Sequence, residues 1–461
     1  MATIRCMVHQ AGRISPNRPA FLAQDILIRH GEFDLMVSAT ALRLRRAGIR
    51  QGDRVALYME DGWAIATLIL ALIRVGAVAC PLNTRLPVQS VKEQLAFIHC
   101  RILISRIRSE SRAVLKGVDC HDPDGLVSRE LASGQATDPF DIPVDQPVSL
   151  IFTSGSSGRP KAVLHSYGNH YYSAYGANLN ARLQSGHCWL LSLPLYHVGG
   201  LGILFRCLQS GAAVAVMNRQ DALEKALAEF PVSHLSLVPT QLARLLRQPL
   251  SDEVLRRLKA VLVGGAPASA GLLESARRKG FPVLPTYGLS EMTSQVTAVA
   301  PTAAPEERNS AGRVLRHRQM RLASDGEICV KGQTLFLGYV EGDSVRLPVD
   351  PEGWFATGDL GIMAETGNLW VSGRKDRQFV SGGENVTPEE IERALLEVDG
   401  VHQAVVEAVP HDEYGQRPVA FLDREETVTD DVVRDALRGV LPTYKVPDAF
   451  RAWDARSIDP K

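Results

Sequence analysis

The chain has 461 residues, with 51 Lys and Arg against 51 Asp and Glu, so its formal net charge is zero. That balance excludes a general nucleic-acid binder, which needs a basic excess to neutralise phosphates, but it leaves room for a small local anion site. The length allows about three domain-sized units and a core large enough to need no covalent staples. Along the chain, apolar residues at helical spacing predict a helix over Phe33–Ala47. A turn at Gly48–Arg54 and a strand at Val55–Tyr58 follow. A buried helix is expected over Asp61–Arg74, then a strand over Ala77–Pro81. Short apolar runs recur at Val148–Thr153, Trp189–Leu193, Ala212–Met217, His234–Val238 and Ala260–Val263, most of them followed by a helical segment. Such alternation predicts an α/β fold with largely parallel sheet.

After Pro301 the segments shorten and become Gly-rich and polar, which predicts a β-rich subdomain. A last unit begins near Gly373–Asp376. Its helix, Thr387–Val398, opens with Thr-Pro-Glu-Glu: Thr387 suits the cap, Pro388 the first turn, and the acids the positive end of the dipole. Strands over Val401–Val409 and Val419–Leu422 and a helix over Asp430–Leu441 complete it. The expected architecture is a large N-terminal body, 1–375, of α/β subdomains plus the β-rich one. A small, mobile α+β C-terminal domain follows over 376–461.

The seven cysteines form no C-x-x-C pair and no zinc-ligand spacing, which reads as reduced thiols in a cytoplasmic protein. Met1–Asn17 lacks the apolar stretch of a secretory signal. The longest apolar run, Trp63–Ile73, is too short to span a bilayer.

The segment with the clearest chemistry is Thr153-Ser-Gly-Ser-Ser-Gly-Arg-Pro-Lys161. Gly155 and Gly158 permit positive φ, so successive backbone N–H groups can converge on one anion. Thr153, Ser154, Ser156 and Ser157 add hydroxyl donors, and Lys161 adds a mobile charge. A preceding apolar strand and the Pro-Lys ending favour a polyphosphate loop over a solvated Ser/Gly turn. It does not match the Walker A pattern. Further along stand Gly264-Gly265-Ala266-Pro267, Tyr287-Gly-Leu-Ser-Glu291, Trp354-Phe-Ala-Thr-Gly-Asp359, Gly373-Arg-Lys-Asp376 and Ser381-Gly-Gly-Glu-Asn-Val-Thr-Pro388.

In this order and spacing these motifs resemble those of the adenylate-forming superfamily of acyl-CoA synthetases, luciferases and adenylation domains, over nearly the whole chain. The resemblance implies an AMP-forming acid–thiol ligase with ATP, Mg²⁺ and coenzyme A as co-substrates or cofactor. It implies that Thr153–Gly158 with Lys161, Gly264–Ala266, Thr286, Tyr287, Gly288 and Ser290 bind the nucleotide. Asp359 and Arg374 would hold the ribose and Glu291 the Mg²⁺. His197, in Leu-Pro-Leu-Tyr-His-Val-Gly-Gly200, falls at the acyl gate with Gly199 and Gly200. Gly382 and Gly383 would line the pantetheine passage, and Asp376 is the expected hinge. The usual second acid there is Arg377. Lys461 falls near the place of the family's adenylation lysine, although Asp-Pro rather than Gly precedes it.

The segments Trp189–Arg206, His234–Leu242, Lys259–Ala266 and Tyr414–Val419 narrow the resemblance to ligases whose acid carries an aromatic ring and two carboxylates. Backbone donors near Gly199–Gly202 or Ser294 are both open as anchors for the second carboxylate. Another aryl- or medium-chain acyl-CoA ligase is the alternative, and a non-catalytic nucleotide-binding protein a more distant one. The expected partners are small molecules, with no nucleic acid and no membrane span; a homo-oligomer is left open.

Overall fold

The computed structural model describes residues 2–60, 62–106, 114–129, 141–153, 160–218 and 221–453. Two large sheets form the body. In one, Asp119–His121, Ile102–Ser105, Arg54–Tyr58, Val78–Pro81 and Pro147–Thr153 run parallel. It is extended antiparallel by Lys161–Ser166, Gly338–Glu341 and Ser344–Arg346. In the other, Val283–Leu289, Ala260–Val263, His234–Leu237, Cys188–Leu190, Ala213–Ala215 and Pro19–Ala23 are parallel neighbours, and antiparallel strands close both edges. Parallel strands covered on both faces read as continuous apolar runs, which is why they are visible in the sequence.

The helix Trp63–Val75 shows why these elements form. Apart from Thr67 and Arg74 it is apolar on all sides, and it starts after Gly62. It ends at Gly76, whose φ of +86° supplies the left-handed cap. From Ile65 to Val75 every residue is buried. It shares one core with Phe33, Met36, Trp189 and the helix Val198–Ser210. Burial of such side chains is worth roughly 1.5–3 kcal/mol each and holds the two sheets in register.

A four-stranded antiparallel sheet, Arg318–Leu322, Glu327–Gly332, Phe355–Met363 and Leu369–Arg374, is the β-rich part expected after Pro301. Beyond the short turn Lys375–Arg377 the chain builds a separate sheet from Phe379–Ser381, Glu384–Val386, Val401–His411, Gly415–Arg424 and Ala449–Ala452. The helices Pro388–Leu396 and Asp430–Arg438 pack on it over their own core of Ile391, Leu395, Val406, Ala420, Val433 and Leu437.

One local expectation needs correcting. Thr387 occupies the cap position, but its hydroxyl makes no capping bond and accepts instead from Gln378 Nε2 at 3.2 Å. Three glycines also have simpler reasons than those read from the motifs. Gly382 and Gly383 are the two central residues of a tight hairpin turn, at φ of +60° and +89°, the geometry such turns require. A Cβ on Gly264 would meet Thr286 at 2.8 Å, so this position answers first to strand packing. All seven cysteines are free thiols. No helix among the described residues is long and apolar enough to cross a membrane.

Candidate functional site

The site lies where the hairpin formed by Pro147–Thr153 and Lys161–Ser166 faces the turn after Val283–Leu289. Thr153 ends the first strand and pairs with Lys161, which begins the second. Residues Ser154, Gly155, Ser156, Ser157 and Gly158 lie outside the described residues, as does Lys461. The Lys161 ammonium stands 5.1 Å from the Tyr339 ring centre, close enough for a cation–π contact. The Tyr339 hydroxyl in turn donates to Glu291 Oε1 at 2.6 Å. Burial and the Glu291 charge push the Tyr339 pKa up, so the phenol stays a donor. Glu291 sits in a single 3₁₀ turn, Ser290–Met292, and its backbone carbonyl accepts from Phe336 N–H at 2.8 Å.

A second carboxylate is prepared nearby. Asp359 Oδ2 accepts from the Tyr287 hydroxyl at 2.7 Å, and Oδ1 accepts from Arg374 Nη1 at 3.1 Å. Burial raises the Asp359 pKa, and the bonds to Tyr287 and Arg374 oppose that rise. Each oxygen keeps a lone pair for one more donor. Arg374 is also held by Asp376, at 3.1 Å from Nε and 3.0 Å from Nη2. These two bonds raise its pKa further. Tyr287 therefore serves this carboxylate with its hydroxyl. Thr286 lies behind, bonded to Thr297 and Gln295.

After Glu291 the backbone takes a strained path. Thr293 and Ser294 have φ of +54° and +103°, unusual for residues with a Cβ. The path is held by Ser173 Oγ on the Thr293 carbonyl at 2.6 Å and by Thr293 Oγ1 on the Thr334 carbonyl at 2.8 Å. It delivers Ser294 Oγ to Arg206 Nη2 at 3.1 Å. Arg206 is 2% exposed, lies over Trp189 and leaves its Nε without a partner. Burial lowers its pKa to about 10, still a cation at neutral pH. No carboxylate among the described residues pairs with it. A second buried arginine, Arg318, is held by the carbonyls of Gln295, Arg316 and Ser173 rather than by an acid.

Sequence reading missed Arg206. Its signal was a lone cation inside the otherwise uncharged stretch Val198–Ser210. His197 occupies the N-cap position of that helix without a side-chain capping bond, its ring against Tyr196 at 4.6 Å. Gly199 packs on Leu193, and a Cβ on Gly200 would stand 2.1 Å from the Pro194 carbonyl, so only glycine fits there. Gly288 pairs with Gln295 beside Ser294. Gly265 lies at φ of +83°, with Ala266 in the turn after Ala260–Val263. Gly382 and Gly383 belong to the separate C-terminal sheet, with Gly382 under the Tyr414 ring. The described residues hold no cluster of three metal-binding side chains. One carboxylate is the donor set expected for Mg²⁺ that arrives with phosphate oxygens and water, so Glu291 fits such an ion.

A parallel α/β body, a small appended C-terminal sheet, and two carboxylates each held by a tyrosine hydroxyl are the features of an adenylate-forming enzyme. Comparison with known proteins carries this further. Residues 8–340 match the AMP-binding enzyme family and residues 390–458 its C-terminal domain. The chain belongs to the AMP-binding enzyme family. It is 32% identical to a 2-succinylbenzoate–CoA ligase of Bacillus cereus, over 97% of this chain and 94% of that one. It is 31% identical to the Bacillus licheniformis ligase of that name, over 96% and 95%. The structure is similar to o-succinylbenzoate CoA synthetase from Bacillus subtilis in complex with ATP and magnesium ion. The TM-score is 0.88 and the identity 29%, over 98% of this chain and 96% of that one.

Proposed function

We propose that this chain activates 2-succinylbenzoate with ATP and transfers it to coenzyme A, giving 2-succinylbenzoyl-CoA, AMP and pyrophosphate. The observation that carries the choice of acid is Arg206, a buried cation with a hydroxyl beside it and no acidic partner among the described residues. A bare buried charge is costly, and a carboxylate brought by the substrate relieves it. An acid with a second carboxylate meets that need, and a simple fatty or aryl acid does not. The names of the similar ligases support the same reading, and with it a role in menaquinone biosynthesis. The free thiols support a cytoplasmic setting.

In the first half-reaction one substrate carboxylate attacks the α-phosphorus of ATP and displaces pyrophosphate. Positioning and charge neutralisation dominate such a step. The loop Thr153–Gly158 and Lys161 hold the phosphates, with Ser290 on the α-phosphate. Gly264–Ala266 and Tyr287 bound the adenine side. Asp359, with its two remaining lone pairs, accepts the ribose hydroxyls, and Arg374 steadies that carboxylate. Glu291 would hold Mg²⁺, which supplies neutralisation of phosphate charge. Lys461 bridges the substrate carboxylate and phosphate. In the second half-reaction the coenzyme A thiol attacks the acyl carbon and AMP leaves. His197, Gly199 and Gly200 line the acyl gate, and Gly382 and Gly383 the thiol passage. The body 1–375 and the cap 376–461 turn about Asp376 between the two steps.

The test is a panel of carboxylic acids offered with ATP and coenzyme A, with acyl-CoA detected by mass. Selective turnover of 2-succinylbenzoate is expected. Turnover of simple fatty or aryl acids in its place would overturn the assignment.

A further inference from the structure

The strand Lys161–Ser166 turns every second side chain toward the Ser290–Met292 turn. Lys161 stands against Tyr339, which binds Glu291. Val163 packs in one cluster with Tyr287 and Met292. His165, two residues further, is fully buried, and its Nε2 lies 2.7 Å from the Ser290 carbonyl oxygen. A carbonyl only accepts, so Nε2 carries the proton and Nδ1 is the acceptor. Its neighbour there is Ser149 Oγ, directly across the hairpin at 3.2 Å. Ser149 Oγ also lies 2.8 Å from His170 Nε2, whose ring stacks on Phe205 at 4.2 Å. The protons then run one way: His170 donates to Ser149, Ser149 to His165, and His165 to Ser290. Burial holds the His165 pKa down to about 4, so one neutral tautomer persists at neutral pH.

We propose that His165 is the positioning residue that fixes the Lys161 hairpin to the Glu291 turn, and so sets the spacing between the two groups that meet the nucleotide phosphates and their metal. The two elements are also linked indirectly, through Phe336 and Tyr339 beside and on the paired strand Gly338–Glu341, but among the described residues His165 makes the direct side-chain hydrogen bond between hairpin and turn. The Ser290 carbonyl also accepts from Thr293 N–H at 3.0 Å, so His165 takes its second lone pair and anchors the turn from outside. Ser149 holds the tautomer that makes the bond possible.

This inference rests on the reading of Glu291 as the Mg²⁺ ligand, and the experiment separates the two. Carboxylate-dependent pyrophosphate–ATP exchange is measured on the full chain, with MgATP and the acid chosen by the panel titrated separately. His165→Leu is expected to raise the KM for MgATP about tenfold, the size of one lost buried hydrogen bond, with the KM for the acid within about twofold of wild type. His165→Gln, whose amide N–H reaches the same place, should restore the MgATP value. Ser149→Ala should give about a threefold rise, and it carries the test if His165→Leu does not fold. An unchanged KM for MgATP in the foldable variants overturns the proposal. So does a rise in both KM values that Gln does not reverse, because that is a packing effect. Glu291→Gln is run alongside. If it loses exchange while His165→Leu behaves as wild type, only the positioning role fails. If it retains exchange, the metal reading fails, and this inference with it.

Discussion

The two regions proposed to meet anions are built on opposite plans. On the nucleotide side, Glu291 already has Tyr339, and Asp359 already has Tyr287 and Arg374. On the acyl side, Arg206 has one serine hydroxyl and an unpartnered Nε, with no acid in contact among the described residues. The difference follows from what each region is proposed to receive. A nucleotide accompanied by a divalent cation brings much of its own counter-charge, so its site needs placed dipoles and little net charge. A bare carboxylate brings none, so its site must store the cation in advance. The zero net charge of the chain is compatible with both plans, because each works through a few buried groups.

The largest test of this contrast falls on the nucleotide side. Glu291→Gln keeps the shape and a hydrogen-bonding group but removes the charge. Carboxylate-dependent pyrophosphate exchange should fall by about 10²–10³-fold. Near-normal exchange would remove the metal role. On the acyl side, Arg206→Met should lower kcat/KM for the dicarboxylic acid about 10²-fold, the worth of one charge-assisted bond in a buried place. The same change should leave thermal stability unchanged or higher, since it deletes an uncompensated buried cation. Equal loss on mono- and dicarboxylic acids would break the contrast.

A third expectation concerns acid. Burial holds His165 and His234 at pKa values of about 4, against 6.5 when exposed in the unfolded chain. Between those values the unfolded state binds more protons. Their contribution to stability is therefore whole above about pH 6.5 and is lost as pH falls toward 4. Thermal melts should show Tm lower by about 5 °C at pH 4.5 than at pH 7, with the loss reduced in His165→Gln. The smallest effect belongs to the seam between body and cap. The Glu397 carboxylate accepts from the N–H groups of Ala270 and Gly271, at the start of the helix Ala270–Arg278, at 2.7 and 3.2 Å. Glu397→Ala should change the ratio of thioester formation to adenylation by about two- to threefold, as the loss of one helix-end contact. An unchanged ratio would mean this contact does not bias the cap.

What could be read from the sequence divides along physical lines. Buried parallel strands and a nearly all-apolar helix leave continuous runs, so Val148–Thr153 and Trp63–Val75 were visible within a residue or two. Turn motifs such as Tyr287–Glu291 were visible because glycine, hydroxyl and acid occur there in fixed order. Arg206 was not, because an arginine among Leu, Ile and Phe has no local pattern, and its meaning depends on Ser294, 88 residues away. His165 escaped for the same reason, since its partner is the carbonyl of Ser290, 125 residues on. The order of strands within each sheet was equally out of reach, because pairing between distant segments leaves little trace in either one.

The join between body and cap has a mechanical consequence. Before it, Arg374 is tied to Asp359, and Lys375 to Asp325 and Glu327. After it, Arg377 is tied to Glu389, Glu392 and the Val406 carbonyl. Asp376 is itself tied back to Arg374, so on the proposed hinge reading the rotation falls on the backbone between Asp376 and Arg377. On that reading so short a joint acts as a bearing rather than a leash: a rotation about it would move the cap as a stiff arm, and displacement would grow with distance from the pivot. Arg377, tied to Glu389, Glu392 and the Val406 carbonyl, would be the bolt on the moving side of that proposed swing.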